Sequence, residues 1–139
     1  MTKNRILVVE DNVLNLELVT DLLELKGFMV HSAATAEQAL RQARELMPDL
    51  ILMDVSLPGV DGLAATRILR SDPATRHLTI VALTAHAMRG DEQLALEAGC
   101  DGYLPKPIDT RKFASQITTF VAEGTARRSE STIPCQYAN

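Results

Sequence analysis

Leu50-Ile51-Leu52-Met53-Asp54 is four apolar side chains in a row closed by a carboxylate. A strand with one wet face alternates apolar and polar residues, so an unbroken run is what a parallel strand covered by helices on both faces requires. Working outward, further short runs rich in Val, Ile and Leu occupy Arg5 to Glu10, Phe28 to Ala33, Leu78 to Thr84 and Gly102 to Leu104, with amphipathic stretches between them. Repetition of this βα unit predicts an α/β fold, a (βα)5 doubly wound parallel sheet with strand order 2-1-3-4-5.

The intervening segments carry helix signals. Leu14, Leu18, Leu22 and Leu25 recur at helical spacing, and Gly27 follows as a stop. Thr35-Ala36-Glu37-Gln38 has the form of a capping box, in which hydroxyl and amide satisfy each other's backbone N–H groups. Ala36, Ala39, Leu40, Ala43 and Leu46 then make the apolar stripe, and Pro48 ends it. A third helix is expected after Asp61-Gly62 and a fourth from about Ala87 to Ala98, before Gly99. In the fifth, Asp109 is the expected N-cap, Ile108 can staple onto Phe113, and Phe113, Ile117, Phe120 and Val121 share a face.

The chain has 139 residues, 46% hydrophobic and 23% charged, a size and balance suited to one compact domain. One domain is expected over residues 1–123, with 124–139, where periodicity ends, as a flexible tail. The formal net charge of −4 and the near absence of aromatics (no Trp, two Tyr, three Phe) argue against nucleic acid as a partner. No apolar run approaches the ~20 residues that span a bilayer, so no membrane association and a cytoplasmic location are expected. Cys100 and Cys135 lie far apart without a metal-ligand pattern, which predicts free thiols.

In such a sheet functional groups collect beyond the carboxyl ends of the strands, where the strand order reverses. Glu10-Asp11 follow the first strand, Asp54 and Thr84 end the third and fourth, and Lys106-Pro107 follow the fifth. Three carboxylates confined to one crevice repel one another and call for a cation, and oxygen-only donors suit Mg2+. A carboxylate kept ionised by that metal and a lysine can act as a nucleophile toward phosphorus, with Lys106 and Thr84 stabilising the phosphoryl oxygens. The expected chemistry is phosphoryl capture on Asp54. Each residue alone has a plainer reading: Asp54 in a structural ion pair, Thr84 as a β-former, Lys106 as a solvated lysine, Tyr103 as a half-buried core residue. Their joint placement at strand ends favours a site.

Four blocks in register resemble the receiver domain of two-component response regulators, the CheY-like superfamily with its flavodoxin-like fold. They are Ile6-Leu7-Val8-Val9-Glu10-Asp11-Asn12, Leu52-Met53-Asp54-Val55-Ser56-Leu57-Pro58-Gly59-Val60-Asp61-Gly62, Ala82-Leu83-Thr84-Ala85 and Tyr103-Leu104-Pro105-Lys106-Pro107. Asp11-Asn12 with Asn15, and the stretch from Thr84 to Asp91, are similar to the single-domain DivK-type branch. The resemblance implies that Asp54 takes phosphate from a phosphohistidine and that Asp11 binds the metal directly. It implies Glu10 as a ligand mainly through water and the Ser56 carbonyl as a further one. Thr84 is implied as the switch hydroxyl, Lys106 as the phosphate-binding lysine and Tyr103 as the switch aromatic, with Lys106-Pro107 cis. Ser56 and His86 stand where family members tune phosphate loss. The implied partners are a sensor histidine kinase or histidine phosphotransfer protein and a downstream protein effector.

The competing functions are a phosphorelay intermediate that hands phosphate on to a histidine, a small aspartyl phosphatase, and a module that binds regardless of phosphate. Phosphatases of the haloacid-dehalogenase type place a second aspartate two residues after the nucleophile. Here that position is Ser56, which argues against an enzyme.

Overall fold

The computed structural model describes residues 4–55, 62–84 and 91–124. Five parallel strands, β1 (Arg5–Val9), β2 (Met29–Ala33), β3 (Leu50–Asp54), β4 (Thr79–Thr84) and β5 (Gly102–Pro105), pair in the order β2-β1-β3-β4-β5. They alternate with α1 (Val13–Leu25), α2 (Ala36–Leu46), α3 (Gly62–Ser71) and α4 (Asp91–Ala98), and α5 is helical over residues 113–124. The expected α/β topology is the observed one. The start expected for the fourth helix, Ala87, lies outside the described residues, as do Ser56, His86, Cys135 and all of 125–139. The tail boundary expected at Gly124 falls on the last described helical residue.

Side chains of the central strands alternate between two cores because successive residues of a strand face opposite ways. Leu7, Val9, Ile51, Met53, Ile80 and Ala82 pack with Ala36, Ala39, Ala43, Ala65, Leu69 and Ala95 from α2, α3 and α4. Ile6, Val8, Leu50, Leu52, Val81 and Leu83 pack with Val19, Leu23, Phe113, Ile117 and Val121 from α1 and α5. Small alanines on one face bring three helices close, while larger groups fill the other. Phe113 and Ile117 are fully buried, and each contributes about 2–3 kcal/mol of burial free energy. Gly102 leaves room for the Phe120 ring of α5, whose Cζ would lie 2.6 Å from a Cβ at that position.

The helix ends follow local chemistry. Asn12 caps α1 by accepting the Asn15 N–H at 3.0 Å, so Asn15 serves the cap with its backbone and not its side chain. Gly27, at φ 90°, closes α1 with a 6→1 bond from the Phe28 N–H to the Leu23 carbonyl. At α2 the Thr35 hydroxyl accepts the Gln38 N–H as expected, but Gln38 reaches back to the Ala34 N–H, one residue earlier than a reciprocal box. Asp109 accepts the Arg111 N–H at 3.0 Å at the start of α5.

The Leu14, Leu18, Leu22, Leu25 spacing marks the helix but not its buried face: Leu14 is 75% exposed, Leu25 83%, and Leu18 is exposed too, whereas Val19 and Leu23 are buried and Leu16 and Leu22 are partly so. Helix α1 is apolar on two sides, so periodicity by itself does not say which stripe the sheet covers.

Candidate functional site

The backbone aligns the strand ends before any side chain is considered. The Glu10 N–H bonds the Ala33 carbonyl at 3.0 Å, Val9 pairs with Met53, Asp54 with Leu83, and Thr84 with Pro105. The Lys106 N–H donates to the Thr84 carbonyl at 2.7 Å, which fixes the root of that side chain beside β4. The Lys106-Pro107 peptide is cis, as the resemblance implied.

On this frame Glu10, Asp11 and Asp54 each offer a carboxylate oxygen within 4.8 Å of the others. Glu10 is 2% exposed and Asp54 1%, while Asp11 opens to solvent. The Lys106 ammonium lies 2.9 Å from Asp54 Oδ2 and 3.2 Å from Glu10 Oε1. Thr84 is buried at the end of β4, and Tyr103 on β5 is half-buried against the α2–α4 core. Thus Glu10, Asp11, Asp54 and Lys106 are brought together, with Thr84 one strand from Asp54. Ser56 lies outside the described residues.

The Lys106 ammonium pairs with two buried carboxylates, and that of Asp11 lies beside them. Burial first, and the closeness of Asp54 second, push the Glu10 carboxyl up to about 7, against the opposing pull of Asn15 and Lys106. Burial alone would lower the Lys106 ammonium, but the hydrogen bond and charge of Asp54, followed by Glu10, hold it above the usual lysine value. Both Glu10 oxygens are buried without a well-directed hydrogen bond. Buried, under-satisfied carboxylate oxygens in an oxygen-only cluster fit a hard divalent cation, which supplies the missing charge and takes oxygen ligands.

Two further residues brace the elements around the site. Gly62 opens α3 so close to β3 that a Cβ there would collide with the Asp54 carbonyl oxygen and lie 2.9 Å from Met53 Cγ. The sequence marks Gly62 as the start of a helix, but the reason for a glycine there exists only once α3 is docked. Arg70 on α3 bonds four acceptors, the Arg76 and Leu78 carbonyls ahead of β4 and the Gly99 carbonyl and Asp101 carboxylate at the α4–β5 turn. It reads in the sequence as one more surface arginine.

Beside Lys106 a cleft of about 360 Å³ is lined by Asn15, Leu18, Lys106, Pro107 and Ile108. The exposed leucines of α1 adjoin it through Leu18. Among the described residues no helix is long and apolar enough to cross a membrane.

The family model of the response regulator receiver domain matches residues 6–118. The chain is 42% identical over 123 residues to the polar-differentiation response regulator DivK of Brucella ovis, covering 88% of this chain and 99% of that one. Among solved structures, the receiver domain of sensor histidine kinase PA1611 from Pseudomonas aeruginosa, described with a magnesium ion coordinated in the active site cleft, is 36% identical with a TM-score of 0.80. That match covers 87% of this chain and 99% of the other. A CheY-like receiver domain protein from Methanospirillum hungatei has a TM-score of 0.82 at 26% identity, covering 91% and 99%.

Proposed function

The chain belongs to the response regulator receiver family, phosphoryl acceptors of two-component signalling, and we propose that it acts as a single-domain switch charged on Asp54. The observation that carries this reading is the Lys106 ammonium 2.9 Å from Asp54 Oδ2, inside a buried carboxylate cluster. Asp54 attacks phosphorus, an O–P bond forms, and the P–N bond of a phosphohistidine breaks with its electron pair returning to the imidazole nitrogen. Lys106 stabilises the phosphoryl oxygens, and Thr84 donates a hydrogen bond to one of them as it turns toward the new group. Glu10, Asp11 and Asp54, with the Ser56 carbonyl that the resemblance implies, would hold Mg2+, which would supply charge neutralisation for those oxygens. Tyr103 turns inward as Thr84 moves, so that β5 and the helices beside it present a different face to a protein effector.

The phosphoryl donor is a histidine kinase or histidine phosphotransfer protein. Exposed Leu14 and Leu18, continuous with the cleft at Pro107 and Ile108, offer a helical donor an apolar seat next to Lys106. In this reading the receiver domain takes in residues 1–123, around the 6–118 that the family model matches.

Asp54→Asn is expected to abolish Mg2+-dependent labelling by acetyl phosphate while the wild type is labelled. Normal labelling of the variant would overturn the reading. A relay role, with phosphate passed on to a second histidine, draws support from the likeness to a receiver of a sensor histidine kinase. Return of label from phosphorylated protein to a histidine phosphotransfer domain tests it.

A further inference from the structure

Helix α4 is held firmly at its C-terminal end. Among its described side chains Ala95 and Ala98 are buried, with methyl-sized contacts that contribute little compared with a buried leucine, while Leu94 and Leu96 are exposed. An eight-residue helix has no stability of its own to add.

Its C-terminal end is fixed in several directions. Gly99, at φ 112°, sends its N–H to the Leu96 carbonyl, and the buried Cys100 sends its N–H to the Ala95 carbonyl, both at 3.0 Å. Arg70 Nε donates to the Gly99 carbonyl at 2.8 Å, Nη1 to the Arg76 and Leu78 carbonyls at 2.6 Å, and Nη2 to Asp101 Oδ2 at 2.8 Å. That same Asp101 oxygen accepts the Ile80 N–H at 2.8 Å. The arginine stem lies flush on the turn, since a Cβ at Gly99 would stand 2.7 Å from Arg70 Cγ. One guanidinium therefore ties α3, the start of β4 and the α4–β5 turn into a single junction of charge-assisted bonds.

We propose that Arg70 is the fixed pivot of α4, so that the rearrangement begun at Asp54 and Thr84 is absorbed at the N-terminal end of the helix while its C-terminal end stays in place. This rests on the phosphorylation reading above. The pivot confines the switch to one end of the helix and keeps the sheet undisturbed.

Amide hydrogen exchange of the full chain in Mg2+, with and without beryllofluoride, tests it, alongside labelling by acetyl phosphate. In the wild type, exchange at residues 92–95 is expected to change by about fivefold or more, and at 99–101 by less than about twofold. Arg70→Met is expected to keep its labelling rate within about twofold, yet to extend the response through 99–101. Asp101→Asn, a milder change should Arg70→Met fold poorly, is expected to give an intermediate spread. Equal changes at both ends of α4 in the wild type, or an unaltered profile in both variants, would overturn the pivot alone. No labelling of wild type or variants would remove the phosphorylation reading and the pivot with it.

Discussion

The Lys106 ammonium lies 2.9 Å from Asp54 Oδ2, although 52 residues separate them in the chain. Neither group is positioned by its neighbours in sequence: Asp54 ends a strand at the middle of the sheet, and Lys106 follows the edge strand β5. The pair is the electrostatic centre of the site, and its removal gives the first prediction.

Lys106→Met keeps the length of the stem and deletes the charge. Phosphorylation by acetyl phosphate is expected to slow by about 10²-fold, the scale for loss of one preorganised charge partner. Labelling time courses at saturating Mg2+ measure this, and an unchanged rate would exclude Lys106 from phosphoryl stabilisation.

Magnesium affinity should depend on pH through Glu10. Its carboxyl, pushed up to about 7, must lose a proton before it ligates, so the Mg2+ dissociation constant is expected to rise about tenfold per pH unit below 7. For the metal-free protein the sign is opposite to that of an ordinary carboxylate. Protonated Glu10 favours the folded state, so its contribution is full below the usual 4.5 and is lost as pH rises through about 7. Thermal melts at pH 5.5 and 8, with and without Mg2+, should show the larger Mg2+-induced rise at pH 8, and Glu10→Gln should flatten the difference.

Gly62→Ala forces a methyl group against the Asp54 carbonyl oxygen and Met53. The expected cost is about 1–3 kcal/mol of stability, read as a lower urea midpoint at unchanged slope. Because the displaced atoms carry the phosphoacceptor, labelling should fall with it. A neutral substitution would mean that α3 is free to move away from β3.

Leu14→Ser and Leu18→Ser separate docking from folding. Both side chains are exposed, so stability is expected to stay within about 0.5 kcal/mol of wild type, whereas Phe113→Ala, in the α1–α5 core, should cost about 3–5 kcal/mol. Labelling by acetyl phosphate should be unaffected by the leucine changes, and transfer from a phosphorylated histidine protein should slow. Equal transfer rates would move the donor's seat elsewhere.

Much of the architecture was legible because strand signals here are local. The unbroken apolar runs of β1, β3 and β4 leave no choice but burial on both faces, and Gly27, Thr35, Gly99 and Asp109 carry their cap chemistry within a few residues. The buried face of α1 was not legible in the same way. Its leucines satisfy the helical period, yet Leu14, Leu18 and Leu25 are exposed while Val19 and Leu23 are buried, and only packing decides which side the sheet covers.

Local residue patterns were enough to specify the βα alternation, and with it the strand ends that carry Glu10, Asp11, Asp54, Thr84 and Lys106, since handed crossovers leave few orders for five parallel strands. Tertiary structure alone decided the 2.9 Å contact of Lys106 with Asp54, the raised Glu10 carboxyl, the bare Gly62 and the Arg70 junction. Those features depend on distances and water exclusion between segments remote in the chain, quantities that no local run of residues encodes.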